Sequence, residues 1–259
     1  MAETGTNLTF SENLTNKLND VSDALPADFN KARFVQNSLA LMLDNVDTFK
    51  NIPPAEITGG LLKGAFLGLD FFNKECYLIP YGKQLNFQVD YKGAKKLCKK
   101  YAIRPVLDID AKLIREGDEF TEIIEGGVPS FSFKPKPLND GRILGAFAWV
   151  RYEDGGMAYD VMTLKELENT RNHSKAKNSP AWRDYTGQMY LKTVIHRLCK
   201  HIELDFENVE QQKLYRQDLE GNVVLEPTEV ENPFGGDEYN DIIDSDIINE
   251  EIIEEEING

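Results

Sequence analysis

The stretch from Ser179 to Lys200 constrains the fold of this chain more than any other. It predicts a helix with a marked start, because serine caps helices well and Pro180 suits the first helical position, where its missing N–H would have no partner. Apolar side chains then recur at helical spacing and predict one buried face. These apolar positions are Leu191, Val194, Ile195, Leu198 and Ile202.

The same predicted helix has a cationic side and an aromatic entry. The side chains concerned are Lys192, His196 and Lys200, which lie four residues apart, Arg197 beside them, and Trp182 and Tyr185 near the start. Cationic and aromatic side chains together suit a polyanion with stackable bases, which is single-stranded nucleic acid. A core helix with a solvated basic face is the alternative, and this helix alone leaves both open.

Charge is distributed very unevenly along the chain. The net charge is −15, but residues 226–259 hold 13 acidic residues and no Lys or Arg, which leaves −2 over residues 1–225. Residues 165–200 carry a net charge of +5, and residues 83–104 carry +6. The low isoelectric point therefore conceals two basic segments, the usual electrostatic sign of a nucleic-acid partner.

Composition and motifs also indicate the cellular compartment and limit which cofactors the sequence supports. Three cysteines in 259 residues predict free thiols in a reducing cytosol. We expect neither a signal peptide nor a membrane span, since the first 13 residues lack a basic start with an apolar run and no segment approaches about 20 apolar residues. No phosphate-binding loop and no dinucleotide fingerprint occurs, so the sequence gives no support for ATP or NAD use.

The remaining pattern predicts an α+β fold, with a small antiparallel β-sheet or hairpin core flanked by helices. Residues 1–25 read as a polar N-terminal arm with one possible short helix, residues 26–220 as the core domain, and residues 221–259 as an acidic, disordered tail. Helices are expected over residues 28–46, from 54 to Gly68, over 91–100, after a capping box at Thr163 and Glu166, and over 207–215. A hairpin is expected over 76–90, and a meander of strands over 104–159.

Two blocks of this sequence resemble the signatures of RecT-family phage recombinases. The first comprises Gly68 to Asp70, Glu75 to Gly82 and Leu85 to Gly93, and contains Tyr-Leu-Ile-Pro-Tyr-Gly and Leu-Asn-Phe-Gln-Val-Asp-Tyr-Lys-Gly. The second runs from Trp182 to Lys200. His196 stands where the family pattern has Arg, and Cys199 where it has Ala. The resemblance covers roughly residues 20 to 205 and leaves out the tail after Glu226.

The resemblance implies an ATP-independent protein that binds single-stranded DNA, assembles into rings or helical filaments, and pairs complementary strands. It implies no cofactor and no covalent chemistry, and therefore not an enzyme. Its implied partners are single-stranded DNA, the annealed duplex, further copies of the chain and a 5′→3′ exonuclease, with a host single-strand-binding protein as a further possibility. The implied setting is the cytoplasm of a bacterial host, with a phage or prophage as the source.

Basic and aromatic residues in the matching blocks are the candidate DNA-binding residues. On the C-terminal helix they are Lys192, Thr193, His196, Arg197 and Lys200. A second group is Gln88, Tyr91, Lys92, Lys95 and Lys96. A third group lines a mobile approach: Arg171, Lys175, Lys177 and Arg183. Two aromatic candidates, Trp182 and Tyr185, complete the set. For Trp182 and Tyr185, packing in the core is as good an interpretation as stacking on bases.

Two other functions stay open at this point. One is a single-strand-binding protein that protects DNA without annealing it. The other is a metal-dependent nuclease that uses the strand carboxylates Asp108, Asp110, Asp118 and Glu119, although alternation on a solvated sheet face explains those positions better. His196, Cys199 and His201 lack the accompanying ligand pair of a structural zinc site, so we expect no metal there.

Overall fold

The computed structural model describes residues 2–174 and 176–221, with side chains described over 10–174 and 176–217. The helices are α1 (Ala2–Asp20), α2 (Lys31–Asp44), α3 (Val46–Phe49), α4 (Pro54–Phe66), α5 (Tyr91–Tyr101), α6 (Leu164–His173), α7 (Pro180–Asp184), α8 (Thr186–Lys200) and α9 (Val209–Gly221). The strands are β1 (Cys76–Tyr81), β2 (Gln84–Val89), β3 (Val106–Arg115), β4 (Glu119–Glu125), β5 (Val128–Lys134), β6 (Ile143–Tyr152) and β7 (Met157–Thr163). This is the predicted α+β fold with small antiparallel sheets.

The chain forms two compact units. Of the described residues, one unit comprises 2–93 and 206–221, and the other comprises 94–174 and 176–205. The first is called the hairpin unit and the second the sheet unit. The acidic tail predicted from residue 221 lies almost wholly outside the described residues.

The hairpin unit is built on α4 and the β1–β2 hairpin. The hairpin is antiparallel, pairs Cys76 with Val89, and turns at Gly82, whose φ of +66° favours glycine. Its inner face packs on α4, where Gly60 lets Leu78 approach closely. The amide of Gln211, fully buried on α9, donates to the carbonyl oxygen of Phe66 at 2.9 Å and so fixes α9 against the end of α4.

The N-terminal segment is more structured than the sequence indicates. Instead of a polar arm with one short helix, it forms the 19-residue helix α1, which packs against α2. Leu14 and Leu18 are buried there. The apolar positions are so few in this segment that sequence periodicity is weak, and burial against α2 supplies the missing stabilisation.

The sheet unit has a three-stranded antiparallel sheet in the order β3–β6–β7. The strands do not form the simple meander that the sequence suggests, because β3 pairs with β6 and the intervening β4–β5 hairpin forms a sheet of its own. Phenylalanines of that hairpin pack on Phe147 of β6, with ring centroids 4.9–5.0 Å apart. They are Phe120, Phe131 and Phe133. Aromatic packing therefore holds this hairpin against the sheet.

Helix α8 also packs on this sheet. The register places Ala146 opposite Met162 and Ala148 opposite Asp160, so these side chains share one face of the sheet. The strand alternation puts Phe147 on the other face. Small alanines allow a helix to lie close to the strands, and a side chain at Gly187 of α8 would begin only 3.1 Å from Leu113 Cδ1 of β3.

In the described part of the chain, no helix is both long and apolar enough to cross a bilayer.

Candidate nucleic-acid interface

Helix α8 separates an apolar side from a basic side, as the sequence predicts. Tyr190, Val194, Ile195, Leu198 and Cys199 are buried. The helical period of 3.6 residues places Lys192, His196 and Lys200 on the opposite side of the helix, where all three are partly exposed. Thr193 lies beside them and donates its hydroxyl to the carbonyl oxygen of Met189 at 2.9 Å. The packing therefore presents a cationic row outward.

Arg197 has a different environment from its neighbours on α8. Its Nε and Nη2 atoms each lie 2.6 Å from a carboxylate oxygen of Asp160 on β7, and Nη2 also donates to the carbonyl oxygen of Val161. Its Nη1 lies 3.2 Å from Glu166 of α6. Hydrogen bonding to Asp160 raises the pKa of Arg197. The guanidinium therefore ties α8 to β7 and α6, a role that the sequence analysis did not assign.

Helix α5 has a lysine side within the sheet unit. Ala94, Leu97, Cys98 and Tyr101 are buried and form its apolar face. Lys96, Lys99 and Lys100 are exposed, and Lys95 is half-buried. Lys99 forms a 3.0 Å ion pair with Asp108, and the ammonium of Lys100 lies 5.2 Å from the ring centroid of Tyr101.

A pair of buried thiols joins α5 to α8. Hydrogen bonding between Cys98 and Cys199, together with burial, raises the pKa of Cys199 well above its usual range. The positive charge of Lys95 lowers the pKa of the same thiol, which places Lys95 near α8. The sheet unit therefore brings part of the second candidate group beside the helix that carries the first.

The aromatic entry of the predicted helix is divided between core and surface. Trp182 is buried and packs edge-on against the Tyr190 ring at 6.1 Å between centroids, while the guanidinium of Arg171 lies 5.7 Å from the Trp182 ring. Tyr185 is 67% exposed. Packing in the core therefore describes Trp182, whereas Tyr185 is accessible to a ligand.

The other approach residues lie at the end of α6, in the chain that connects it to α7, and in α7 itself. Lys177 is exposed, and its carbonyl oxygen accepts from Arg171 Nε at 3.4 Å. Arg183 is exposed and forms a two-point ion pair with the adjacent Asp184, with donor–acceptor distances of 2.7 and 2.9 Å. Lys175 lies outside the described residues. An exposed ion pair of this kind contributes little stability.

The remaining candidates belong to the hairpin unit. Gln88 lies on β2, directly opposite Tyr77 of β1, and is half-buried. Tyr91 and Lys92 begin α5, where the backbone N–H of Lys92 lies 3.3 Å from Asp90 Oδ1. Strand alternation places Tyr77 on the same face of β1 as Tyr81, and neither tyrosine is among the candidates named from the sequence.

The carboxylates considered for nuclease chemistry are engaged in local structure. Hydrogen bonding to Lys99 lowers the pKa of Asp108. Asp118 accepts from the backbone N–H groups of Arg115 and Lys136 and from the Asn139 amide, and so organises the turn beside β4. Over residues 2–174 and 176–221, no three His, Cys, Asp or Glu side chains are grouped as metal ligands.

Comparison with known proteins gives two matches. A family model described as the RecT family matches residues 32–231, which is more than three-quarters of the chain and extends a few residues into the acidic segment that the resemblance left out. Protein RecT of Escherichia coli (strain K12) is 29% identical over 179 residues, which are 66% of this chain and 62% of that protein. The aligned region therefore spans less than two-thirds of this relative's length.

Proposed function

Since the chain belongs to the RecT family, we propose that it is a recombination protein that binds single-stranded DNA and anneals complementary strands. The observation that carries the proposal is the family match over residues 32–231, which includes both basic segments. The outward cationic row of α8 and the lysine side of α5 supply the electrostatics that such a function needs.

Binding begins with the phosphates in this mechanism. Lys192 and Lys200 on α8, with Lys95 and Lys96 on α5, neutralise phosphates of one strand and release its counterions. A strand held by its backbone keeps its bases available, so a second strand is able to pair with it. Base pairing then supplies both the specificity and the driving force, and no ATP is required.

We extend the proposal to the assembly. Several copies form a ring or helical filament along one strand, so that a long complementary sequence is presented continuously. A 5′→3′ exonuclease supplies the single strands, a host single-strand-binding protein is a further partner, and the duplex stays bound after annealing. The setting is the cytoplasm of a bacterium that carries the encoding phage or prophage.

The test is annealing of two complementary labelled oligonucleotides by the full-length protein without ATP, followed by fluorescence. Fast annealing and a persistent complex with the duplex are the expected results. Tight binding with slowed annealing would instead identify a protective single-strand-binding protein. Cleavage of the labelled strands in the presence of Mg²⁺ would favour the nuclease.

The cationic row of α8 is tested by the variant Lys192→Gln. Its matched control is Lys50→Gln, because Lys50 is also a partly exposed lysine but lies at the end of α3, where it pairs with Asp47. Loss of one phosphate contact should reduce the slope of log affinity against log salt by about 0.7 in Lys192→Gln. The slope of Lys50→Gln should equal that of the parent. Equal slopes in all three proteins would remove Lys192 from the interface.

A further inference from the structure

The outer face of the β1–β2 hairpin has an unusual composition for a solvated strand pair. Alternation along the strands and the pairing register place two tyrosines, one isoleucine and three amide side chains on this face. They are Tyr77, Ile79 and Tyr81 on β1, opposite Gln88, Asn86 and Gln84 respectively. The other face, which includes Leu78, Phe87 and Val89, is buried in the hairpin unit.

Charge is nearly absent from this hairpin. Charged residues make up 28% of the chain, yet residues 76–89 contain one, Lys83, in the turn. Within residues 76–89 no carboxylate lies on the outer face, and the nearest one along the chain is Asp90, which directly follows β2 and whose charge acts on Tyr77. At the other end of the hairpin, the exposed Lys92 follows directly in α5. The face therefore has aromatic and amide groups in the middle and a lysine beyond each end.

The two tyrosines are accessible side chains. Tyr77 is 36% exposed and Tyr81 is 44% exposed. Partial burial, followed by the charges of Asp90 and Tyr91, raises the pKa of Tyr77, so its ring stays neutral under ordinary conditions and lies near the candidate residue Tyr91. Four residues of strand separate the tyrosines by about 14 Å, roughly the length of four stacked nucleotides.

The β4–β5 hairpin provides a comparison, because its aromatic side chains pack against the three-stranded sheet. The rings of Phe120, Phe131 and Phe133 on β4 and β5 contact Phe147 of the sheet. The opposite face of that hairpin carries Glu119, Thr121 and Glu125 on β4, and all three are exposed. The aromatic face of that hairpin also carries Glu122, opposite Phe131. The β4–β5 hairpin therefore packs its aromatic side chains against the sheet and carries carboxylates on both faces, whereas the outer face of β1–β2 presents two tyrosines and no carboxylate.

We infer that the outer face of β1–β2 is a stacking platform for unpaired bases, with Tyr77 and Tyr81 as the stacking rings and Gln84, Asn86 and Gln88 as hydrogen-bonding groups at base edges. This inference rests on the proposed function and adds the contacts to bases that the lysine rows lack. Stacking tolerates every base, because each has a π-face. The platform therefore holds a strand without sequence preference while its phosphates are held elsewhere.

The experiment compares two strands of equal length and charge, one of thymidines and one of abasic sites, in equilibrium binding to the full-length protein. The parent should bind the thymidine strand at least about five-fold more tightly, since stacking on one aromatic contributes about 1 kcal/mol or more. Tyr77→Ala and Tyr81→Ala should lower this preference and leave the salt slope unchanged. Tyr77→Phe should retain the preference, and Thr121→Ala on the other hairpin is the matched control.

Each outcome has a distinct meaning. Salt-dependent binding with an undiminished base preference in both alanine variants would overturn the platform and leave the proposed function standing. Absence of salt-dependent binding by the parent would overturn the proposed function itself. A changed sedimentation coefficient of the alanine variants with an unchanged base preference would make this face a contact between protein copies and would also overturn the platform.

Photocrosslinking of the unmodified protein removes the dependence on variants that fold poorly. Strands that carry halogenated uracil are irradiated in the complex, and the crosslinked peptides are identified by mass spectrometry. Crosslinks within residues 76–89 are expected. Crosslinks confined to other segments would contradict the inference.

Discussion

Arg197 shows how the function of one side chain depends on its partners. The sequence places it in a basic row, and its role in binding DNA remains a prediction. The structure adds a two-point ion pair with Asp160, whose side chain is only 15% exposed. Asp160 lies 37 residues away along the chain, so no local pattern identifies it as the partner.

Arg197→Gln is expected to lower the free energy of unfolding by about 2 kcal/mol, because it leaves the carboxylate of Asp160 without its charged donor. Urea denaturation measures this change. The matched control is Arg183→Gln, which breaks an exposed pair with Asp184 and should change stability by less than about 0.5 kcal/mol. Unchanged stability of Arg197→Gln together with a loss of DNA binding would support a direct phosphate contact instead.

Glu166 links stability to pH. The backbone N–H and hydroxyl of Thr163, followed by Arg197, lower its pKa below the ordinary value of 4.5. A carboxylate with a lowered pKa in the folded state stabilises the protein above the unfolded-state pKa, and this contribution is lost as the pH falls through the folded-state pKa. The melting temperature of the parent should therefore fall more steeply below about pH 4.5 than that of Glu166→Gln. Parallel curves would contradict the prediction.

At the scale of elements, the two helix starts at Thr163 and Ser179 differ in their capping. Thr163 accepts from the backbone N–H of Glu166, and the Glu166 carboxylate accepts from the backbone N–H of Thr163, which completes the predicted capping box. Ser179 occupies the N-cap of α7, but its side chain makes no capping hydrogen bond. The sequence predicted the first cap correctly, whereas the predicted capping role of the Ser179 side chain is wrong.

Thr163→Ala should therefore destabilise the protein by about 1 kcal/mol in chemical denaturation. Ser179→Ala is the matched control and should cost less than half of that, since no capping bond is lost. A larger loss of stability in Ser179→Ala than in Thr163→Ala would contradict this prediction.

The predicted single helix from Ser179 to Lys200 is broken at Tyr185, whose φ of −129° and ψ of 37° are not helical. Residues 182 and 190 of one continuous helix would be about 12 Å apart along its axis, but the rings of Trp182 and Tyr190 lie 6.1 Å apart. The break allows Trp182 to pack on α8. The sequence keeps its helical periodicity across Tyr185, so periodicity does not indicate the break. The break is visible only in the structure, where the indole ring of Trp182 packs on α8.

At the scale of the whole molecule, the charge balance leads to a prediction about the acidic segment. Residues 226–259 carry 13 acidic residues and no basic ones, and they lie outside the described residues. If this segment competes with DNA for the basic rows, deletion of residues 226–259 should raise the affinity for single-stranded DNA, most strongly at low salt. Fluorescence anisotropy measures this affinity, and an unchanged value would exclude competition.

The sequence by itself determined the α+β class, most helix positions, the β1–β2 hairpin and the outward cationic row of α8. These features follow from periodicity, turn residues and capping residues, which act over a few neighbouring positions. The RecT signatures were readable for the same reason, since each is a local block.

Only the tertiary structure decided the pairing of β3 with β6, the burial of Trp182, the partners of Arg197 and the formation of a long helix by the N-terminal segment. Each of these results from contacts between residues far apart in sequence. Their energies depend on which surfaces meet: aromatic rings of a hairpin on Phe147, or a guanidinium on the carboxylate of Asp160. A local pattern specifies that a side chain is apolar or charged, but it does not specify which distant group that side chain will contact.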